Sequence, residues 1–231
     1  MKASKVFDQW PERYDQWFQT PIGKVIKTYE TELILEMLKP SKADLILDAG
    51  CGTGVFTKDF IFAGAKIVGL DLSFPMLARA GEKLSGSRFL MTQGDMERLP
   101  FADYVFDKTV SVTAIEFIKD ARDAVDELFR VTKPGGLIVV ATLNSLSPWA
   151  ERRKISGEKG HPIFQEVVFR SPEEMRNLSK VKGIQKNAIH FQKEEVPERA
   201  KQKEEMVRSR GLDTGAFLAS CWRKPQHGQQ F

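Results

Sequence analysis

Leu45-Ile46-Leu47-Asp48-Ala49-Gly50-Cys51-Gly52-Thr53-Gly54 carries an apolar strand straight into a glycine-rich turn. A helical pattern follows at once. Glycine has no side chain and tolerates positive φ, so a ligand can approach bare backbone there. The spacing is G-x-G-x-G, and position 55 is valine. Dinucleotide sites use G-x-G-x-x-G instead. The stretch therefore predicts a nucleoside cofactor held without a pyrophosphate, and it disfavours an NAD-dependent oxidoreductase.

Outward from this turn, Lys66-Ile67-Val68-Gly69-Leu70-Asp71 is a second buried-strand run, ending in an acid 17 residues after Gly54. An acid at the carboxyl end of the second strand of a βαβ unit can accept both ribose hydroxyls. The alternative role is to cap the helix begun by Ser73. A third run leads to Gly94-Asp95-Met96-Glu97-Arg98-Leu99-Pro100-Phe101. Strands are expected over 44–49, 66–71, 87–92, 105–112 and 136–143. Their alternation with helical patterns argues for an α/β fold, a parallel sheet with helices on both faces. Residues 120–131 read as a helix with Ala121, Ala124, Val125, Leu128 and Val131 on one face. Lys133-Pro134-Gly135-Gly136 then turns the chain into the next strand.

Three regions lie outside this core. Residues 1–40 hold Trp10, Tyr14, Trp17 and Phe18, followed by an amphipathic helix over 24–38 whose buried face is Ile26, Tyr29, Leu33 and Met37. Residues 145–170 read as one long connection with Pro148, Gly157, Gly160 and Pro162, a length typical of lids and binding loops. Ser171-Pro172-Glu173-Glu174 starts a helix with a capping box. Residues 183–192 and 215–224 read as two final strands. The highly charged stretch between them, 193–213, reads as an exposed insertion.

The segments LDAGCGTG, GLDLS, GDMERLPF, FDKTVSVTAIEFI and LFRVTKPGGLIVVATLN lie in order over residues 44–144. In them the chain resembles the class I S-adenosylmethionine-dependent methyltransferases, in the ubiquinone/menaquinone-biosynthesis-like (type 11) branch. The resemblance implies a Rossmann-like, doubly wound, mostly parallel seven-stranded sheet with an antiparallel edge, the last two strands pairing antiparallel. It implies S-adenosyl-L-methionine as cofactor and one domain over 1–231: a helical lid at 1–40, a cofactor-binding core at 41–144, and a substrate-side loop with the C-terminal strands at 145–231.

The same resemblance implies the residue roles. Gly50, Cys51, Gly52, Thr53 and Gly54 would meet the amino acid part of the cofactor. Asp71 would take the ribose hydroxyls, with Leu72 and Met76 against the adenine; the alternative for Met76 is ordinary core. Asp95 would accept the adenine amino group, the Met96 N–H would donate to the ring, and Ser111 would face the methionine moiety. Tyr14, in a segment similar to the N-terminal lid of related enzymes, would stack over the sulfonium or bond the carboxylate. Its alternative is a hydrophobic plug. Cys51 is the small residue the turn requires rather than a nucleophile.

No single base stands out. His161, in the long loop, is the best-placed histidine; His190 falls in an edge strand and His227 in a polar tail. Thr113 and Glu116, after the fourth strand, are comparable candidates, and the catalytic set stays open. Phe117, Trp149, Ile163, Phe164 and Phe169 flank the expected acceptor pocket or belong to the core.

Composition limits the remaining readings. The chain has 231 residues, a net charge of +4 and two cysteines, Cys51 and Cys221. No apolar run approaches the ~20 residues needed to span a bilayer. Residues 1–8 contain no apolar h-region, so no signal peptide is expected. A reduced, cytoplasmic setting is the simplest reading of the cysteines, and no Cys/His spacing predicts a metal. Residues 151–231 hold 17 Lys+Arg against 11 Asp+Glu, and residues 1–150 hold 18 against 20. The basic half raises an RNA or protein methyltransferase as an alternative. The interleaved Glu residues and Ser111-Val112-Thr113-Ala114 after the fourth strand, in place of an Asn-Pro-Pro-Tyr type tetrapeptide, disfavour nucleic acid. A small-molecule acceptor is the leading expectation, and a non-catalytic cofactor-binding regulator is the alternative of a different class. Oligomeric state is not readable.

Overall fold

A computed structural model describes residues 7–208 and 210–226. The signal-peptide expectation at 1–8 falls mostly outside them, and His227 lies wholly outside.

Seven strands form one sheet: β1 (Leu45–Ala49), β2 (Lys66–Asp71), β3 (Phe89–Gln93), β4 (Phe106–Val112), β5 (Thr132–Leu143), β6 (Ile184–Ala188) and β7 (Phe217–Arg223). Their spatial order is β3-β2-β1-β4-β5-β7-β6. The first five are mutually parallel. β7 runs antiparallel to both β5 and β6. The strand of opposite sense is thus second from the edge, and β6 forms the edge itself.

The sheet is buried on both faces because its strands send alternate residues into two separate cores. Ile46 and Val139 join one cluster, and their neighbours Leu47 and Val140 join the other. This is why the strand runs are continuously apolar rather than alternating. Helices α1 (Pro11–Gln19), α2 (Pro21–Leu38) and α3 (Thr57–Phe62) cover the first face, and α4 (Phe74–Lys83) packs along β2 and β3. Helix α5 (Ala121–Val131) covers the second, burying all five residues expected of it.

Helix α2 begins three residues before its expected start. The Thr20 hydroxyl accepts the Gly23 N–H, and Pro21 takes the first position. Both are standard start signals. Its four expected apolar residues are buried, and so is Glu30 on the same face. β5 also starts earlier than expected. Phe106 pairs with Thr132 and Lys108 with Leu137, so Lys133-Pro134-Gly135-Gly136 is a bulge within the strand. Gly135 has φ +79, a conformation suited to glycine.

Two regions are more ordered than their composition suggests. The connection 145–170 contains α6 (Pro148–Glu158), capped by Ser147, whose hydroxyl accepts the Ala150 N–H. The Ser-Pro pair at 147–148 marks this start as clearly as the one at Ser171-Pro172, which opens the short helix α7 (Pro172–Arg176) with the expected capping box.

The stretch 193–213, expected to be an exposed insertion, instead carries α8 (Pro197–Arg208) with Ala200 and Glu204 buried. Glu204 accepts the Ile189 N–H at 3.0 Å and the His190 N–H at 2.7 Å, and lies 3.1 Å from His190 Nδ1. These amides end β6 and find no strand partner, so the carboxylate supplies one. Burial pushes the Glu204 carboxyl up, but the His190 contacts outweigh it and hold the group below its usual range. Glu204→Ala is expected to destabilise the fold by about 2–4 kcal/mol near neutral pH, because it orphans two buried amides. Urea unfolding of the two proteins measures it. The gap narrows at acid pH, where the depressed carboxyl is protonated and its contribution is lost.

Among the described residues, no helix is long and apolar enough to cross a membrane.

Candidate active site

The carboxyl ends of the parallel strands open into a cleft of about 740 Å³. The topology puts it there: the order reverses between β1 and β4, and such switch points leave a crevice at the strand ends.

The glycine turn is fixed to its neighbours by backbone bonds. The Leu70 carbonyl accepts both the Gly50 and the Cys51 N–H. Gly50, Gly52 and Gly54 all have positive φ. At Gly50 a Cβ would stand 2.3 Å from the Ala114 Cβ, so only glycine lets the turn pass under the loop after β4. Asp71, at the end of β2, accepts the Gly52 N–H at 2.8 Å and the Ser73 N–H at 2.9 Å. It therefore ties the glycine turn to the start of α4 while lining the cleft. Burial raises its pKa, and those backbone donors oppose the rise. Each carboxylate oxygen keeps acceptor capacity beyond these bonds.

β3 delivers the next contributors. The Gly94 N–H donates to the Asp71 carbonyl, which sets the end of β3 beside that of β2. Asp95 follows, its carboxylate accepting the Glu97 N–H at 3.0 Å. Leu72, Met76, Asp95 and Met96 all line the cleft, together with Gly50, Gly52 and Asp71.

Other expected residues are placed differently. Thr53 is fully buried, and its hydroxyl donates to Asp15 at 2.6 Å. Asp15 also receives Lys83 Nζ at 2.6 Å and Arg79 Nε at 3.1 Å, so it anchors α1 onto the glycine turn and α4. Cys51 and Gly54 do not line the cleft. The Cys51 thiol is buried, which raises its pKa and leaves it un-ionised. Ser111 is wholly buried and its hydroxyl has no partner among the described residues; Val112 and Thr113, further along the chain, form the wall instead.

Tyr14 sits next to the Asp15 anchor and borders the cleft. Burial and the nearby carboxylates Glu30, Glu116 and Asp71 raise the pKa of its phenol, against a bond with Thr113, so it stays protonated.

Behind Tyr14 lies a second chamber of about 460 Å³. Phe7, Tyr14, Thr113 and Phe117 line both spaces and form the passage between them. Trp10, Trp17, Trp149, Ile163 and Phe164 line the second chamber, whereas Phe169 does not. His161 is there too, stacked on Phe164 with ring centroids 4.5 Å apart.

Three carboxyl groups, Glu30, Glu116 and Glu194, also line this chamber, and Glu194 is engaged by Arg152. Burial pushes Glu30 up to about 8, with Arg153 pulling the other way. Burial likewise pushes Glu116 up to about 7, against its backbone bond and the Thr142 hydroxyl, which donates at 3.0 Å. Arg170 holds the turn that carries Glu116 by donating to the Ile115 and Ile118 carbonyls. Glu30 was not among the sequence candidates. The visible sign was a charged residue on the apolar face of α2.

The first cleft suits a nucleoside with an attached amino acid. It sets an acid at the β2 end for a diol, and an acid with apolar residues at the β3 end for a base. Close to both is a glycine backbone that admits near approach. The turn differs from a pyrophosphate cradle, since its third glycine, Gly54, precedes the position such a turn would use.

Comparisons with known proteins agree. Residues 47–140 match the family model described as a methyltransferase domain. The chain is similar to a malonyl-[acyl-carrier protein] O-methyltransferase of Pectobacterium atrosepticum, 41% identical over 112 residues, covering 48% of this chain and 44% of that protein. A Serratia marcescens protein of the same name is 28% identical over 181 residues, covering 69% and 70%. The chain thus spans about half the length of the first curated relatives it matches. Among solved structures, it is similar to a Thermotoga maritima S-adenosylmethionine-dependent methyltransferase described as a possible histamine N-methyltransferase. The TM-score is 0.75 at 21% identity, over 96% of this chain and 99% of that one. Haemonchus contortus phosphoethanolamine N-methyltransferase 2, solved with S-adenosyl-L-methionine, gives a TM-score of 0.64 at 17% identity, over 94% and 60%. These structural likenesses are of fold. Residues 47–140 thus match a methyltransferase domain, and the chain as a whole shares the fold of S-adenosylmethionine-dependent methyltransferases.

Proposed function

We propose that this protein transfers the methyl group of S-adenosyl-L-methionine to a small-molecule acceptor bound in the second chamber. The observation that carries this reading is the pair of spaces joined at Tyr14, Thr113 and Phe117. One has nucleoside-binding chemistry, and the other is walled by aromatic rings.

In this reading Asp71 accepts the ribose hydroxyls, and Leu72 and Met76 flank the adenine. Asp95 and the Met96 N–H address the edge of the base, and the backbone of Gly50 and Gly52 admits the amino acid end. Thr53 and Cys51 support the turn rather than touch the ligand, and Ser111 lies beneath it. The cofactor's sulfonium already makes its methyl group electrophilic. The protein's task is orientation and exclusion of water, which can supply roughly 7–11 kcal/mol of a barrier. Helix α1, anchored through Asp15, holds Tyr14 at the passage between the two spaces.

The relatives' name raises a second acceptor, one tethered to an acyl carrier protein. The cations of the second chamber, treated below, are compatible with its carboxylate.

Calorimetric titration with S-adenosylmethionine, S-adenosylhomocysteine and NAD tests the cofactor half. Micromolar binding of the two sulfur nucleosides without NAD is expected. Transfer of labelled methyl to a panel of small molecules tests the rest. Binding of NAD alone would overturn the reading.

A further inference from the structure

The second chamber contains a charge arrangement that the fold does not need. Arg13, Arg153 and Lys193 all line it. Each lies over an aromatic wall: Arg13 over Trp10 at 5.0 Å, Arg153 over Trp149 at 5.2 Å and Phe164 at 5.7 Å, and Lys193 over Trp17 at 4.8 Å. Among the described residues none of the three makes a salt bridge or side-chain hydrogen bond. Arg152, one position away, shows the contrast: Glu194 and Gln192 engage it.

Aromatic stacking orients a guanidinium but leaves its N–H donors unused. A partly buried arginine without a carboxylate partner is costly to keep. Of the three carboxyls lining the chamber, Glu194 is taken by Arg152, and the other two do not pair with Arg153. Glu30 and Glu116 act on Arg153 through space, and neither approaches to salt-bridge distance. Burial raises both carboxyls and favours their uncharged forms. The chamber therefore carries net positive charge around an aromatic-walled space.

We infer that the second chamber takes an acceptor with an aromatic or apolar body and an oxyanion head, carboxylate or phosphate, seated on the guanidinium of Arg153. Arg13 and Lys193 guard the rim and favour entry of anions. The inference rests on the methyltransferase reading, because it identifies the class of acceptor for that same site.

The test is calorimetry on the full chain saturated with S-adenosylhomocysteine. The probes are phenylacetate, phenyl phosphate and phenethylamine, which share a ring and differ in charge. At least one anion is expected to bind about tenfold or more tightly than the amine. Phenylacetate alone would identify a carboxylate acceptor, and phenyl phosphate alone a phosphorylated one.

Arg153→Met is expected to weaken anion binding by about tenfold or more, with S-adenosylhomocysteine affinity unchanged. Arg153→Lys keeps the charge without the fork and should recover part of the loss. Since Arg153 packs between two rings, unchanged cofactor affinity also certifies that each variant is folded. Equal or tighter binding of the amine would overturn the proposal, as would anion binding indifferent to Arg153→Met. If S-adenosylhomocysteine fails to bind, the cofactor reading falls instead, and the anion titrations without it still judge the chamber.

Discussion

Asp71→Ala is expected to weaken S-adenosylhomocysteine binding by about 2–4 kcal/mol, a loss of about 30- to 1,000-fold in affinity. Two losses combine. The first is the acceptor that the proposed function gives the ribose hydroxyls. The second is the pin that holds the Gly52 and Ser73 amides at 2.8 and 2.9 Å. Asp71→Asn keeps one acceptor oxygen but turns an amide NH2 toward one of those donors or toward the ribose, so an intermediate loss is expected. Cofactor affinity of the wild type should also fall on acidification earlier than an ordinary aspartate would dictate, because burial raises the Asp71 pKa. Calorimetry at several pH values measures both effects, and circular dichroism verifies the fold. An alanine variant that binds within about twofold of wild type would remove Asp71 from the ribose site.

Glu30→Gln is expected to stabilise the protein at alkaline pH and to leave it nearly unchanged at pH 5. The Glu30 carboxyl moves from an ordinary 4.5 to about 8 on folding, chiefly through burial. Between those values the folded state holds a proton that the unfolded state has released. Stability is then greatest below the unfolded pKa and declines as pH rises through the folded one. Glutamine keeps the shape and cannot ionise, so it removes this slope. The expected gain at pH 9 is about 2–4 kcal/mol, from a shift of several units discounted for relaxation around the charge. Glu116 and Asp48, each raised to about 7 by burial, add to the same decline in the wild type. Urea unfolding at pH 5 and pH 9 gives the comparison. Parallel pH profiles for the two proteins would show that Glu30 reaches water.

The parts of the site legible in the sequence are those built by short spacing. Gly50, Gly52, Asp71, Asp95 and Met96 belong to strand ends, and the sheet's regularity converts sequence position into spatial position. Leu72 and Met76 follow because the next helix begins directly after β2. The placements of Thr53 and Ser111 were not legible in the same way. Thr53 lies in the right turn, but its hydroxyl direction depends on Asp15, 38 positions earlier. Ser111 lies on the right strand, but its burial depends on what packs over the sheet.

Charged segments show the same limit. The 193–213 stretch looks solvated by composition, yet Glu204 is fully buried. Its reason for burial is a pair of unpaired amides at 189 and 190, which no local pattern reveals. The 145–170 stretch looks irregular because of its prolines and glycines, although Ser147-Pro148 is itself a helix start.

The sequence by itself determined the parallel core, the direction of its strands and the cofactor class. Those follow from local periodicity and from glycines that a close approach requires. Only the tertiary structure decided the second chamber. Its walls come from α1, α2, the turn after β4, α6 and the loops around 161–164 and 189–194, segments brought together by packing. Whether a charged side chain there is paired or left open to a ligand is a property of distance in space. Arg152 and Arg153 are neighbours of identical chemistry, and the fold pairs one with Glu194 while leaving the other between two aromatic rings.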